Sequence, residues 1–395
     1  MAAADDSLTG PVRTAFWYDP AKRAVFIQGL MVVLTAAFVI WIVNNTLGNL
    51  ARLNIASGYG FLEQRSGFGV PMSLIAYSPQ STYLRAFGVG VLNTLLVSAM
   101  GIAAATLIGF VMGVARLSSN WLIRSIAAVY VEGLRNVPVL LQIFFWYFAV
   151  LGALPQPRNA VDLMGSVFLS YRGLIVPAPV PEIGFWATPI VLGLSLLAIL
   201  ALSRWAQWRR EQTGQEFPVG WMSLGLLVVP ALLTWWITGA PLEWSMPKLQ
   251  GFRFVGGLAV VPELVALWFA LSMYTGAFIA EAVRGGIQSV DRGQRDAARS
   301  IGLSRTQTLR LVVIPQAMRV IVPPVTNQYL SLTKNSSLGA AIGFPELMNV
   351  SGTMLNQTGQ AVEVLALTMA VYGTICLGIA SVMNLYNRSV RIKER

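Results

Sequence analysis

Eight apolar runs, each long enough to cross a bilayer, constrain this chain more than any other feature. They are Ala24–Leu47, Ala86–Ala115, Trp121–Leu154, Phe185–Leu202, Trp221–Thr238, Val261–Ala282, Ala317–Phe344 and Val362–Leu385. A membrane-spanning helix needs about 20 mainly apolar residues. Only 11% of the 395 residues are charged and 55% are hydrophobic, whereas a soluble domain carries about a quarter charged residues. The solvent implied is lipid, and the expected fold class is an all-α integral membrane protein with about eight transmembrane helices.

What separates the runs sets an expected topology. Arg13, Lys22 and Arg23 precede the first run, Arg116 closes the second, and Arg204, Arg209 and Arg210 follow the fourth. Arg388, Arg391, Lys393 and Arg395 follow the last. Basic residues collect in cytoplasmic loops, so both termini are expected inside. The stretches 48–83, 155–181 and 239–257, rich in Gly, Ser or Pro, are expected as external loops. The first 24 residues hold Asp5, Asp6, Pro11 and Pro20 and no apolar core, unlike a cleaved signal peptide.

Composition also removes several chemistries. The chain has no histidine and one cysteine, Cys376, which excludes Ser-His, Cys-His and His-based metal sites. Cys376 reads as a small packing residue. The net charge of +11 follows from the positive cytoplasmic loops, with no basic and aromatic module of the kind that binds nucleic acid. No Gly-x4-Gly-Lys-Ser/Thr segment occurs, so the chain holds no P-loop for ATP. An ion-coupled secondary carrier would want inverted repeats and intramembrane carboxylates, and neither is evident; it stands as the alternative class.

The most charged stretch, Arg284 to Arg310, carries Arg284, Arg292, Arg295, Arg299, Arg305 and Arg310 against Asp291 and Asp296. Asp296-Ala297-Ala298 favours a short helix, with Asp296 placed near its start to suit the dipole. Gly302 supplies a positive-φ stop, Ser304 caps a second helix, and Pro315 bends or ends it. Two short helices around a tight glycine turn are expected.

This segment resembles the EAA loop of permease subunits in bacterial ATP-binding-cassette importers. That pattern is Glu-Ala-Ala, three residues, Gly, nine residues, then Ile-x-Leu-Pro. Here it is Asp296-Ala297-Ala298, three residues, Gly302, nine residues, then Val312-Val313-Ile314-Pro315. Asn93-Thr94-Leu95-Leu96, Arg135-Asn136-Val137-Pro138, Glu281-Ala282-Val283-Arg284-Gly285-Gly286 and Thr333-Lys334-Asn335-Ser336-Ser337 resemble the polar amino acid branch, and the length resembles the long general L-amino acid permeases.

The resemblance implies a type I importer core of five helices in 83–154 and 261–387, with a coupling loop at 285–317. Around it lie a cytoplasmic tail (1–23), an extra first helix and external loop (24–82), an insert with two further helices (155–260) and a second tail (388–395). The resemblance further implies L-amino acid uptake across a bacterial inner membrane by a chain that is not itself the ATPase. The implied partners are two ATP-binding subunits that hold the ATP and magnesium, a second related permease and a periplasmic amino-acid-binding protein. Arg295, Asp296, Ala297, Ala298, Arg299, Gly302 and Pro315 form the implied coupling set. Arg295 and Arg299 either meet acidic groups of the partner or stay solvated.

Pro323-Pro324 is expected to break the seventh span. Gln328, Ser331, Lys334, Asn335 and Ser336 then offer polar groups to a substrate; alternatively Lys334 snorkels to the interface, or these residues join two permease subunits. Glu132 and Arg135 read as an i, i+3 ion pair or a gate. Gly101, Gly109 and Gly113 read as positions of close helix packing.

Overall fold

The computed structural model describes residues 19–52, 57–163, 165–182, 184–215, 217–239, 242–251 and 253–390. The tails expected at 1–23 and 388–395 fall largely outside these residues. The chain is mostly helical, with seven helices long and apolar enough to cross a membrane, or up to eight if one bent pair is a single span. The long helices are α1 (Pro20–Arg52) and α2 (Tyr83–Ala115). The bent pair is α3 (Trp121–Asn136) and α4, whose α-helical turns Val139–Phe144 continue as a wide π-helical stretch to Leu151.

The expected third span is therefore not one straight helix, because α3 and α4 meet at 107°. Pro138 has no amide proton and restricts Val137 to extended backbone. Gln142, buried in α4, donates from Nε2 to the carbonyls of Leu134 and Val137, both at 2.9 Å. Carbonyls freed by the bend would otherwise lie unpaired away from water, so Gln142 fixes the corner.

The insert holds helices α5 (Ala187–Thr213) and α6 (Val219–Ile237), packed against each other. The flanking segments expected as loops form short antiparallel strands. On one side lie β1 (Val161–Asp162), β2 (Phe168–Ser170), β3 (Gly173–Val176) and β4 (Ala178–Pro181). On the other lie β5 (Leu242–Ser245), β6 (Lys248–Gln250), β7 (Arg253–Val255) and β8 (Leu258–Val260). One sheet runs β1-β2-β3-β8, with Ile175 opposite Ala259, while β4 pairs β5 and β6 pairs β7. The two segments are thus zipped together at the same end of the molecule.

Helices α7 (Pro262–Gln288), α8 (Arg292–Ser300), α9 (Arg305–Thr308), α10 (Ile314–Asn335), α11 (Leu347–Thr358) and α12 (Ala361–Val390) complete the chain. The core lies where α2, α4, α7 and α10 meet, around Val97, Ile143, Leu267, Leu271, Ile279, Ile321 and Leu332. Close approach of α2 and α7 makes this core possible. A Cβ on Gly109 would lie 2.5 Å from Cβ of Ile279, and one on Gly113 would lie 2.7 Å from the Ala280 carbonyl oxygen. By contrast, no described side chain of α1 or α6 is buried. Apolar helices that bury so little of their surface are stable only with lipid or partner protein around them.

Helix α10 corrects one expectation. It runs unbroken through Pro323 and Pro324. Two prolines remove two amide donors, but the burial of Ile321, Val322 and Val325 holds the turn in place. The helix instead ends at Asn335, where a tight 3-10 turn over Ser336–Ile342 stops at Gly343, φ +79°. Helix α11, which follows, has no counterpart among the expected spans.

Gly109→Ala is expected to cost about 1–3 kcal/mol through overpacking and to lower the thermal midpoint of the detergent-solubilised protein. Gly133→Ala, with nothing within 4 Å of its new Cβ, serves as the control. Equal midpoints for the two variants would refute the close-packing account.

Candidate functional site

The charged loop folds as two short helices around a glycine turn, as expected, but its first helix starts earlier. Asp291, not Asp296, is the N-cap of α8, and its carboxylate accepts from the Gly293 amide at 3.0 Å. Asp296 lies in mid-helix, 71% exposed and 3.9 Å from Arg299; a pair so exposed contributes little. The turn is a Schellman closure. The Leu303 amide donates to the Ala298 carbonyl (3.1 Å) and the Gly302 amide to that of Arg299 (2.9 Å). Gly302 has φ +83° with open space around it, so its conformation, not crowding, demands glycine.

Ser304 caps α9 in a reciprocal capping box with Gln307. Pro315 does not end the helix that Ser304 caps, which runs on without a break into α10. It sits in the first turn of α10, after a wide π-helical stretch over Leu309–Val313, whose loosened hydrogen bonding takes up the missing amide.

The loop is tied at both ends. Arg295 Nη2 donates to the Ile287 carbonyl at the end of α7, 2.7 Å away, and Gln316 Nε2 donates to Gln294 Oε1 at 3.3 Å. Ala298 is buried, whereas Asp296, Ala297, Arg299 and Gly302 are exposed. Ile301 is 77% exposed at the tip, an apolar side chain standing out of a charged loop. Behind the loop a cleft of about 280 Å³ is lined by Arg295, Arg299, Arg305 and Thr308 over Ile287 and Val313.

The expected Glu132–Arg135 pair is not made. Glu132 Oε1 accepts from Arg116 Nη2 at 3.1 Å, and Arg135 lies over the Phe278 ring at 5.1 Å. Arg116, the C-cap of α2, also donates from Nη1 to Glu281 Oε2 at 2.6 Å. Glu281 Oε1 in turn accepts from Arg284 Nη2 at 2.5 Å. Glu132 and Arg135 each turn to a facing helix, Glu132 to α2 and Arg135 to α7. The i, i+3 spacing of Glu281 and Arg284 was a readable signal; the reach of Arg116 from another helix was not.

The polar set of the seventh span divides. Asn327, Ser331 and Lys334 are exposed on one face of α10; Gln328 and Asn335 are half-buried; and Ser336 is buried, with its hydroxyl donating to the Thr333 carbonyl at 2.7 Å. Ser336 is therefore spent on the local turn. Lys334 and Ser337 edge a cavity of about 490 Å³ between α10, α11 and α12, with Met348, Tyr372 and Cys376 on its walls.

Behind that cavity lies Glu346, fully buried and absent from the expected site residues. It caps α11, accepting from the amides of Met348 (2.8 Å) and Asn349 (2.7 Å), and it accepts from Tyr372 Oη at 2.8 Å. The Asn93-Thr94 motif pins the same turn: Asn93 Nδ2 donates to the Pro345 carbonyl at 2.8 Å, and Thr94 Oγ1 accepts from the Leu347 amide at 3.0 Å. A lone acid in an apolar stretch was the available signal.

Residues 105–392 match the family model described as the binding-protein-dependent transport system inner membrane component. The chain belongs to this family. Its members are multi-pass inner membrane permeases of ATP-binding-cassette transporters. ATPase activity resides in a separate subunit, and a binding protein delivers the cargo.

The chain is 48% identical over 378 residues to the general L-amino acid transport system permease protein AapQ of Rhizobium johnstonii, covering 96% of this chain and 94% of that one. It is 49% identical to the putative amino-acid ABC transporter permease protein YhdX of Escherichia coli K12 over 95% and 96% of the two chains. It is 39% identical over the full length of both to the glutamate/glutamine/aspartate/asparagine permease protein BztB of Rhodobacter capsulatus. Among solved structures, an amino acid ABC transporter crystallised with histidines matches 78% of this chain and 95% of its own at TM-score 0.46 and 20% identity.

Gly302→Val forces a β-branched residue into left-handed backbone, at about 1–2 kcal/mol. Faster deuterium exchange over residues 292–308 is expected, with Gly302→Asn close to wild type. Unchanged exchange in the valine variant would show that the turn does not hold the loop.

Proposed function

We propose that this chain is the membrane-spanning permease of an importer that takes up L-amino acids, with ATP hydrolysis transmitted through the loop 285–317. The observation that carries the reading is the near full-length identity of 48% and 49% to two amino acid permeases, joined to a stiff, outward-facing cytoplasmic-type loop on an otherwise apolar chain. In this reading both termini are cytoplasmic. Two ATP-binding subunits supply the nucleotide and magnesium sites, a second related permease completes the path, and a periplasmic amino-acid-binding protein delivers substrate.

Within the loop, Asp296, Ala297, Arg299 and Gly302 form the contact face with the ATP-binding subunit, and Ile301 is its apolar anchor. Ala298 serves the loop's own packing, Arg295 ties the loop to α7, and Pro315 sets the start of α10. What supports this division is burial: Ala298 is 4% exposed and Ile301 77%. Truncating an exposed apolar anchor is a common way to lose an interface. Ile301→Asp is expected to abolish co-purification with the ATP-binding subunit while the permease itself is produced normally.

For the substrate path the reading takes the face of α10 bearing Ser331 and Lys334, with Gln328 and Asn335 at its margin and Ser336 as a structural support. Lys334 supplies a positive charge and Asn335 none, an arrangement suited to neutral and acidic amino acids. Asn335→Asp is expected to raise uptake of arginine relative to a neutral amino acid by about fivefold, the effect of ~1 kcal/mol of added charge pairing. An unchanged uptake ratio would remove Asn335 from the path.

The decisive experiment reconstitutes the chain with its neighbouring subunits in vesicles. Uptake of labelled L-amino acids that requires ATP and the binding protein is expected. Uptake that ignores ATP but follows a proton gradient would establish the ion-coupled carrier instead.

A further inference from the structure

Helices α2 and α7 share one carboxylate, that of Glu281, near the root of the charged loop, and α3 reaches the same cluster through Arg116. Two guanidiniums share it: Oε2 takes Arg116 Nη1 at 2.6 Å, while Arg284 spans both oxygens, with Nη2 on Oε1 at 2.5 Å and Nε at 3.2 Å from each. Arg116 stands at the C-terminal cap of α2, where carbonyls without helical partners favour a cation. It is 15% exposed and Glu281 27%, so the contact is largely shielded from water. The second arm of Arg116 reaches Glu132 on α3, which is 67% exposed. Arg135 over Phe278 and the Tyr130 hydroxyl on the Met273 carbonyl, 2.7 Å away, hold α3 against α7 beside the same place.

From Glu281 the contacts continue toward the loop. Arg284 Nη1 donates to Gln288 Oε1 at 2.7 Å, in the last turn of α7. The neighbouring Ile287 carbonyl accepts from Arg295 on α8 at 2.7 Å. The distance from Glu281 to Gln288 is two helical turns, about 10 Å along the axis. Charged and charge-assisted contacts, joined through the backbone of the last turn of α7, therefore link the cap of α2 to the short helix α8. Nothing comparable links α8 to α12 among the described residues. Charge-assisted, geometrically fixed contacts of this kind are stiffer than dispersion contacts between apolar side chains.

We propose that Arg116 is a positioning residue for energy coupling: through Glu281 it makes α2 move with α7 and the charged loop, so that displacement of α8 reaches the transport path. The proposal rests on the importer reading. It touches neither nucleotide nor amino acid; it concerns only how motion at the loop is shared among the helices. An anchor with a purely structural role would change how much complex assembles, but not how much substrate each ATP carries across.

The test uses the whole complex in vesicles, with uptake and ATP hydrolysis measured in the same preparation and the amount of assembled complex quantified. Arg116→Gln is expected to lower uptake per ATP hydrolysed by about fivefold or more, the lower end of typical coupling between sites. Glu281→Gln is expected to do the same. The double variant is expected to be no worse than Glu281→Gln alone, which already removes the Arg116 contact together with the Arg284 pair. Arg116→Lys, which keeps the charge toward Glu281, should recover most of the ratio, and Glu132→Gln should leave it near wild type.

Should Arg116→Gln fail to assemble, Glu281→Gln and Arg116→Lys still decide the matter. A wild-type uptake-per-ATP ratio in the assembled Glu281→Gln complex, or multiplicative losses in the double variant, would overturn the proposal. Failure of the wild-type complex to show ATP-driven uptake would instead sink the importer reading, a separate and earlier outcome.

Discussion

Everything in this molecule is built on the approach of α2 to α7 at Gly109 and Gly113. In lipid, burying a leucine against another helix gains little, because acyl chains are as apolar as the leucine; helices associate through close dispersion contact and through polar groups they bring together. Two glycines one helical turn apart let the α2 backbone lie against Ile279, Ala280 and Val283 with no room for a methyl group. That proximity brings the end of α2 within reach of α7, so that Arg116 finds Glu281. It also sets the groove into which α10 lays Ile321 and Leu332. The ion contacts are consequences of the packing, since arginine on a more distant helix would reach solvent first.

A second constraint follows from the first. A bundle this tight has corners, and each corner frees backbone groups that lipid cannot satisfy. The chain answers with buried polar side chains aimed at its own backbone. Gln142 serves the carbonyls at the α3–α4 bend. Asn93 and Thr94 serve the turn before α11, and Glu346 serves the amides that open it. These are the residues that an intramembrane-polarity argument would first assign to substrate. Their hydrogen bonds show another use: they hold irregular backbone in shape, and Glu346 does so beside the cavity that Lys334 edges, through Met348 and Tyr372.

This distinction explains what was legible in the sequence. Period and composition identify long apolar helices, and local rules identify caps and turns, so Gly302 and Ser304 were readable because their roles depend only on neighbours in sequence. Asp296 was misplaced within its helix because Asp291, five residues earlier, is the better cap and the helix simply starts there. Pro323-Pro324 misled because helix-breaking is a statement about isolated helices, and burial of Ile321, Val322 and Val325 overrides it. The Glu132–Arg135 spacing fitted an ion pair, yet the partners lay on other helices. Strands β1 to β8 stayed hidden for a related reason. They are two to four residues long, too short for alternation to register, and two of the pairings, β3 with β8 and β4 with β5, join segments on either side of an entire helical hairpin.

The distribution of burial carries the remaining step. The charged loop is stiff where it must keep a shape and bare where it must be read by another surface: capped by Asp291, closed at Gly302, tied through Arg295 and Gln316, yet leaving Ile301 in solvent. A flexible loop with the same exposed residues would dissipate a displacement as torsional motion within itself. A stiff loop fixed only to α7 would move one helix through an otherwise stationary bundle, against the close contact at Gly109 and Gly113. Because α2 and α7 are locked by those glycines, and their ends share a carboxylate, the smallest unit that can respond to the loop is the pair and not the single helix. Helices α1, α5 and α6, with almost no buried side chains, lie outside that unit and can remain with the lipid while it moves.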